Sequence, residues 1–454
     1  MFRFSKFQPS MAVRGGLAFL LTATAGLAAT PASAIEIQEV TSPGGIHALL
    51  VEDYTNPLIA MRFAFKGAGT TEDPAGREGM ANLLSGLLDE GAGDIESQDF
   101  QSQLDKFGVS LSFNATYDNF AGNFRTIVEH EDVAFDLLRL AVNEPRLDDE
   151  PVDRIRGQIA TGIIASRNDP GTLAGDAFRR TVFPDHPYSR PTEGTVESLN
   201  AVTVDDLRHF RDTAFAKDNL VVGVVGAIDA ERLGERLDEV FGPLRDTAEL
   251  TQVPDVEPVM GAREHVELAI PQTTIQFALP GIARDDPKFF DAYLMNHILG
   301  GGTFSSRLYT EVREKRGLAY GVGSYLVDYD HASFLAASTA TRADRAGESI
   351  DIIRQEMARL AQDGPGAEEL TKAKAYVKGA YAVQNLSSSL SIASTLVGIQ
   401  LDGLGIDYID KREGLIDAVD AEGVKAMAKE LLTPDPTIIC LLYTSPSPRD
   451  KRQS

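Results

Sequence analysis

Residues 76–91 read GREGMANLLSGLLDEG and follow an extended apolar segment at Leu58–Phe65. Apolar side chains recur here three and four residues apart, as they do along one face of an α-helix. These apolar positions are Met80, Leu83, Leu84, Leu87 and Leu88. Asn82, Ser85 and Gly86 fall on the opposite face with the same spacing. The pattern predicts a strand followed by an amphipathic helix.

This strand and helix resemble the start of the insulinase/pitrilysin-type metallopeptidases. In that family the helix carries a His-x-x-Glu-His motif, in which two imidazoles bind zinc and the carboxylate activates a metal-bound water. Asn82, Ser85 and Gly86 stand at the three motif positions here. The family's third ligand, a glutamate, would fall at Gly162, and no carboxylate occurs between Asp153 and Asp169. The resemblance therefore implies a peptidase scaffold whose own zinc ligands are absent.

A second motif occupies residues 300–320, which read GGGTFSSRLYTEVREKRGLAY. It resembles the hallmark of the family's second domain, where an arginine and a tyrosine seven residues apart bind the substrate backbone and help to polarise the scissile carbonyl. Arg313 and Tyr320 match that pair. The resemblance implies that both contact a peptide substrate.

The local pattern is compatible with that role. We predict a helix over Ser305–Lys315 with Leu308, Tyr309 and Val312 facing inward. It ends at Gly317, which can take the left-handed conformation, and a strand follows. Arg313 and Tyr320 can then point into one cleft and donate to a carbonyl oxygen as negative charge develops. Taken singly, each has a simpler interpretation, because an arginine in a last helical turn complements the helix dipole and a strand tyrosine usually packs in a core.

The chain also repeats itself at an offset of 217 residues. Ala201–Leu207 precedes a helix and the strand Asn219–Gly226, and Ala418–Val424 precedes a helix and the strand Pro436–Leu442. A repeat of this size indicates duplicated domains. We expect an α+β fold of two homologous domains, each a mostly antiparallel sheet packed against helices. In the family such a pair forms half of a hinged clamshell.

Five segments follow from these patterns: a signal peptide at 1–34, a first peptidase-like domain at 35–246, a linker at 247–262, a second domain at 263–442 and a tail at 443–454. The tail is basic, rich in serine and proline, and has no counterpart in the first repeat. We expect it to be disordered. It is either a flexible native tail or a non-native sequence joined where the last strand was interrupted, and the second interpretation is favoured.

The N-terminus is typical of an export signal. Arg3, Lys6 and Arg14 precede an apolar run at Gly15–Ala29 and a small-residue cleavage site at Ala32–Ala34. The run is short for a membrane span, so none is expected in the mature chain. We predict an exported, periplasmic protein, with secretion into the medium as the alternative. A mitochondrial presequence fits less well, since the apolar middle is too continuous for an amphipathic helix.

Composition excludes several function classes. The chain has 43 basic and 67 acidic residues, a net charge of −24, which argues against nucleic acid or anionic membranes as partners. The single cysteine, Cys440, excludes an internal disulfide. None of the seven histidines forms a helical pair at metal-ligand spacing; we expect His130 in a solvated acidic turn and His297 at the edge of the core.

One further segment, Gly108–Tyr117, alternates apolar and polar residues and resembles the edge strand on which active relatives pair a substrate. An extended peptide can add to such an edge through main-chain hydrogen bonds. A purely structural or partner-facing edge fits the pattern equally well.

Together these features predict a non-catalytic subunit of an exported heterodimeric zinc metallopeptidase. The chain would bind no cofactor and cleave nothing alone. It would close the peptide chamber and supply Arg313 and Tyr320 to a homologous partner that carries the zinc. Peptides would be the substrates. The alternative is a catalytically uncoupled peptide-binding or assembly subunit of a larger complex.

Overall fold

A computed structural model describes residues 35–267 and 272–442. The signal peptide predicted at 1–34 and the tail predicted at 443–454 lie outside the described residues. No helix in the described part is both long and apolar enough to span a membrane.

Two sets of strands and helices follow one another along the chain. The first set comprises β1 (Gln38–Thr41), β2 (His47–Glu52), β3 (Leu58–Lys66), α1 (Met80–Ser85), α2 (Ser97–Phe107), β4 (Ser110–Ala115), β5 (Asn119–Ile127), α3 (Glu131–Asn143), α4 (Asp149–Ser166), α5 (Pro170–Val182), α6 (Val196–Ala201), α7 (Val204–Ala214), β6 (Leu220–Gly226) and α8 (Ala230–Phe241). The second comprises β7 (Arg263–Glu267), β8 (Gln272–Pro280), α9 (Phe289–Asn296), β9 (Ala319–Tyr329), β10 (Ala332–Arg342), α10 (Ala346–Asp363), α11 (Ala367–Asn385), α12 (Ser389–Leu401), α13 (Tyr408–Ala418), α14 (Ala421–Leu432) and β11 (Thr437–Leu442). Short 3-10 turns occur at Thr70–Glu72, Val128–His130, Pro187–Ser189, Thr303–Ser305 and Ala343–Arg345, and π-helical turns at His297–Gly301 and Tyr309–Glu314.

The strands form two mixed sheets, as the α+β prediction requires. The first has the order β1-β2-β6-β3-β5-β4 and the second β7-β11-β8-β10-β9. Only β2 with β6 and β7 with β11 pair in parallel, so both sheets are mostly antiparallel. Apart from β1, the two orders correspond strand for strand. The starts of β6 and β11, Leu220 and Thr437, are 217 residues apart, which is the offset of the sequence repeat.

The two halves exchange a helix. α5 packs against β7, β8 and β11 of the second sheet, where Phe178 and Val182 join a buried cluster with Phe334. The equivalent helix of the second half, α12, packs against β3 and β6 of the first sheet. There Val397 is buried against Ala64. Each sheet therefore has one face covered by the other half of the molecule.

The connection between the halves has no helix or strand between residues 247 and 262, but it is anchored by hydrogen bonds. The Thr251 amide donates to a carboxylate oxygen of Glu72 (2.9 Å), and the Val259 amide donates to the Val182 carbonyl (2.9 Å). The predicted linker is thus held against the first half at both places.

The helix predicted across residues 76–91 is shorter than expected. α1 starts after Gly79, which has φ of +93°, and gives way to tight turns after Ser85. Its first amides, at Gly79, Met80 and Ala81, donate to the buried carboxylate of Asp73. Five apolar side chains that define the predicted face are buried nevertheless: Met80, Leu83, Leu84, Leu87 and Leu88. A chain of turns buries the same face that a continuous helix would.

The helix predicted over Ser305–Lys315 also differs, because it is π-helical from Tyr309 to Glu314. The Lys315 amide donates to the carbonyl of Thr310 (3.0 Å) instead of the carbonyl of Glu311, which α-helical geometry would use. The guanidinium of Arg316 donates to the Glu311 carbonyl instead (2.8 Å). A side chain from the end of the helix therefore takes the acceptor of the α-helical bond.

Candidate functional site

The positions of the missing zinc ligands lie around the junction of α1 and α4. Asn82 on α1 and Gly162 on α4 line the same cavity, of about 740 Å³, with α5 on its far side. Ser85 is buried, and its hydroxyl donates to the Asn82 carbonyl (2.8 Å). Gly86 faces α4. The fold thus brings together positions that are far apart in sequence, as the resemblance implies.

The residues at these positions do not fit a zinc ion. Structural and catalytic zinc sites use nitrogen, sulfur or carboxylate ligands, at least three from the protein. Gly86 and Gly162 offer no side-chain donor, and a Cβ atom at Gly86 would lie 3.0 Å from Cγ2 of Ile155. Beside Gly86, Ile155 and Ile159 of α4 pack against the hydrophobic core of the first half. Within residues 35–267 and 272–442, no three His, Cys, Asp or Glu side chains are grouped closely enough to hold a metal ion.

Arg313 and Tyr320, by contrast, lie side by side. Gly317 takes φ of +61°, its amide bonds to the Arg313 carbonyl (2.9 Å), and the Leu318 amide bonds to the Val312 carbonyl (3.0 Å). This tight end of the helix turns the chain directly into β9. The guanidinium carbon of Arg313 then lies 5.7 Å from the centre of the Tyr320 ring. Tyr320 is 88% exposed, so its phenol faces solvent.

A third side chain, Tyr309, completes this group, and the sequence motif does not predict a role for it in the site. Its hydroxyl is hydrogen-bonded to Nη1 of Arg313, and its ring centre lies 4.8 Å from the guanidinium carbon. Tyr309 was correctly predicted to point inward, and it is buried. The spacing of four residues between Tyr309 and Arg313 on one helix was the available signal, since such residues are neighbours on the helix surface.

An acidic side chain of the same helical turn, Glu311, is paired with other cations. Glu311 is 7% exposed and forms salt bridges with Lys315 and Arg316, both at 2.6 Å. Hydrogen bonds from Lys315 and then Arg316 lower the pKa of Glu311. Arg313 makes no salt bridge with any carboxylate in the described part of the chain. Its charge and remaining N–H donors are therefore available to a ligand.

The segment Gly108–Tyr117, predicted as an edge strand, contains β4, which lies at the edge of the first sheet. β4 pairs with β5 on one side only, within the described residues, and α1 packs against it. Ser110 and Ser112 are exposed, whereas Leu111 is buried. Both interpretations of this edge, peptide pairing and a structural role, remain compatible with the geometry.

The other singled-out residues have structural roles. His297 is buried, its ring centre lies 5.1 Å from that of Tyr376, and burial lowers its pKa. His130 is half-buried against the Phe107 ring, so the solvated position predicted for it is only partly correct. The triple glycine lies against β9, since a Cβ atom at Gly300 would lie 2.6 Å from the Ser324 amide nitrogen. A strand of the same chain therefore packs closely against Gly300.

Two family models match most of the described chain. The model "Insulinase (Peptidase family M16)" matches residues 62–196, and the model "Peptidase M16 inactive domain" matches residues 201–377. The chain belongs to the insulinase family. The family's three zinc ligands and its catalytic base are all replaced here, by Asn82, Gly86, Gly162 and Ser85. The chain is therefore a non-catalytic member of that family.

Its relatives within the insulinase family have mixed descriptions. The crystal structure of a peptidase M16 inactive domain from Pseudomonas fluorescens superposes with a TM-score of 0.84 and 26% identity, covering 90% of this chain and 99% of that one. An uncharacterized zinc protease of Streptomyces coelicolor is 27% identical over 88% of each chain. The non-peptidase homolog YmxG of Helicobacter pylori is 24% identical over 83% of this chain and 87% of its own.

Proposed function

We propose that this chain is the non-catalytic subunit of an exported heterodimeric zinc metallopeptidase. It closes the peptide chamber of a homologous subunit that carries the zinc, and it supplies Arg313 and Tyr320 to the partner's substrate. Its own zinc positions take no part in the reaction. The substrates are peptides or unfolded segments that fit the chamber.

One feature carries this function: a cationic and a phenolic donor are kept together and accessible, although the metal positions have been lost. Arg313 is held by Tyr309 and stands beside the exposed Tyr320. A guanidinium and a phenol can both donate to a carbonyl oxygen, and such donors act most strongly where negative charge develops in the transition state. If the chain had only a structural role, neither the exposure of Tyr320 nor the unpaired charge of Arg313 would be needed.

Reconstitution tests the proposal. The purified chain is mixed with the zinc-bearing homologue of the same organism, and cleavage of a fluorogenic peptide is measured for each chain alone and for the mixture. We expect cleavage from the mixture only. Replacing Arg313 by Ala should lower turnover of the complex by about ten- to a thousandfold, since removal of one oxyanion-stabilising donor commonly has effects of this size.

Arg345→Ala provides the matched control, because Arg345 lies in the same domain and pairs with Glu348 at the surface. The control complex should keep wild-type turnover. Wild-type turnover by the Arg313→Ala complex would refute the role of Arg313. Stable incorporation into a larger assembly without any peptidase activity would instead favour the uncoupled binding or assembly subunit.

The proposal includes export to the periplasm. It depends on the basic, apolar and small-residue segments at 1–34. A fusion of these residues to a periplasm-dependent reporter should be active outside the cytoplasm. Retention of the reporter in the cytoplasm would contradict export without affecting the heterodimer.

A further inference from the structure

A second cavity, of about 590 Å³, lies between α11, α12, α13 and the start of α9. None of Asn82, Gly162, Arg313 and Tyr320 lines it. Its walls carry five aromatic rings: Phe289, Phe290, Tyr293, Tyr381 and Tyr408. Two arginines, Arg284 and Arg412, also line it, although the chain as a whole is strongly acidic.

Arg412 is a buried charge without a counter-ion. Only 5% of the residue is exposed, and its guanidinium carbon lies 4.0 Å from the centre of the Tyr381 ring. The one hydrogen bond of its side chain in the described structure runs from Nη1 to the Val377 carbonyl (3.3 Å). None of the described carboxylates lies within salt-bridge distance of it. Buried charges in proteins are normally paired.

Ring stacking does not satisfy this guanidinium completely. A ring face attracts the cation through its quadrupole, but this attraction is weaker than the cost of removing a charge from water. The five N–H donors of an arginine lie in the guanidinium plane and need oxygen acceptors at its edge. The cavity beside Arg412 is where such an acceptor can enter.

Arg284 supplies a second guanidinium to the same cavity. Its guanidinium carbon lies 4.1 Å from the centre of the Phe289 ring and 4.9 Å from that of Tyr408. Asp402, which also lines the cavity, lies 3.9 Å from its Nε, and its Nη2 donates to the Tyr408 hydroxyl. The guanidinium carbons of Arg284 and Arg412 lie 5.7 and 5.9 Å from the centre of the Phe290 ring. The two cations thus border one ring.

We propose that this cavity binds a small carboxylate carried on an aromatic or apolar body. Guanidinium groups recognise planar oxyanions through paired, charge-assisted hydrogen bonds, and the surrounding rings suit a flat apolar group. The cavity has the size usual for small-molecule sites. A free organic acid and the C-terminal residue of a peptide both present this chemistry. The site lies within one chain, so its occupancy does not require the proposed heterodimer.

Calorimetric titration of the purified full chain tests the site, with N-acetylphenylalanine as the probe. We expect the acid to bind at least about tenfold more tightly than N-acetylphenylalanine amide, which lacks the charge. Inorganic phosphate, which lacks the ring, should also bind more weakly. Arg412→Gln and Arg284→Gln should each weaken binding of the acid by at least about tenfold. Arg345→Gln, at a surface ion pair outside the cavity, should leave it unchanged.

Equal affinity for the acid and the amide, or unchanged affinity in Arg284→Gln, would overturn the proposal. Arg284 is the decisive variant if Arg412→Gln does not fold, because its side chain is less buried. A pentapeptide ending in phenylalanine distinguishes the two sources. Binding of this peptide as tight as that of the acid supports a peptide C-terminus as the ligand, and binding of the small acid alone supports a free organic acid.

Discussion

At position 86 the absence of a side chain is part of the packing. A Cβ atom there would lie 3.0 Å from a methyl group of Ile155 on α4, so a larger residue must push this side chain aside. We predict that the triple variant Asn82→His, Ser85→Glu and Gly86→His, which restores the family's motif, lowers the free energy of unfolding by about 1–3 kcal/mol. It should also bind no stoichiometric zinc, because Gly162 still supplies no third ligand. Urea unfolding and metal analysis measure the two outcomes.

Adding Ile155→Ala to the triple variant makes room for the imidazole and serves as the control for overpacking. The steric part of the destabilisation should then diminish, whereas zinc binding should still be absent. Tight zinc binding by the triple variant alone would show that the packing of α1 against α4 does not exclude the metal.

Tyr309 is expected to position Arg313. Tyr309→Phe keeps the ring beside the guanidinium and removes only the hydroxyl that bonds to it. In the reconstituted complex we predict a fall in kcat of about three- to tenfold with little change in KM, since the loss of one hydrogen bond displaces the donor without removing it. Tyr325→Phe, at an exposed tyrosine of β9, should leave both constants unchanged. An equal loss in both variants would contradict a specific role for the Tyr309 hydroxyl.

At the residue scale the motif predicts that Arg313 and Tyr320 contact the substrate, which stays a prediction, and it does not indicate Tyr309. The pair is part of a motif with fixed spacing, so no knowledge of packing was needed to find it. Tyr309 was assigned to the apolar face with Leu308 and Val312, and its hydroxyl was overlooked. Arg412 was also missed, because nothing in its neighbourhood along the chain shows that it is buried among aromatic rings from other helices.

At the scale of elements, the strands were predicted better than the helices around the site. β3, β6 and β11 follow from runs of β-branched and apolar residues between turn residues. The predicted helix at 76–91 is interrupted because four glycines, at 76, 79, 86 and 91, fall within it. The π-helical turn could not be predicted, since it depends on a bond from Arg316 to a backbone carbonyl.

The seating of α12 on the first sheet depends on Gly223 in β6. A Cβ atom there would lie 2.5 Å from the Ala393 carbonyl oxygen and 2.8 Å from Cβ of Leu396. We predict that Gly223→Ala lowers the free energy of unfolding by about 1–3 kcal/mol. Gly379→Ala, in α11 with nothing near its Cβ position, should instead raise it by about 0.5–1 kcal/mol. Chemical denaturation measures both, and a neutral Gly223→Ala would contradict the close packing of α12.

At the scale of the whole molecule, the repeat predicted the correspondence of the two sheets but not the exchange of helices. The pattern of α5 and α12 shows an apolar face, and nothing in it specifies which sheet that face covers. The exchange makes the packing of each half depend on the other.

A carboxylate where the two halves meet, Asp118, accepts hydrogen bonds from the Tyr188 hydroxyl (2.6 Å) and from the Asp330 amide of the second half (3.2 Å).

The junction should be sensitive to pH. Burial raises the pKa of Asp118, and the charge of Asp330 raises it further. Asp118 therefore keeps its proton in the folded chain, whereas in the unfolded chain it releases this proton near pH 4. The free energy of unfolding consequently falls as the pH rises from about 4 to the pKa of Asp118 in the folded chain. We predict that Asp118→Asn becomes more stable relative to wild type over this range, by at most about 1.4 kcal/mol per pH unit.

The exposed Asp246 provides the control for this pH dependence. Its pKa is lowered by the hydrogen bond from Lys217, so Asp246→Asn should show no such gain with rising pH. Urea unfolding of the three proteins at several pH values makes the comparison. A difference between Asp118→Asn and wild type that is independent of pH would contradict the raised pKa of Asp118.

The zinc content of the purified chain, measured together with its peptidase activity, shows whether this chain is catalytic by itself. We expect no stoichiometric zinc after dialysis against a zinc-containing buffer, and no cleavage until the zinc-bearing homologue is added. One zinc ion bound per chain, with peptide cleavage by the isolated protein that a chelator abolishes, would contradict this expectation.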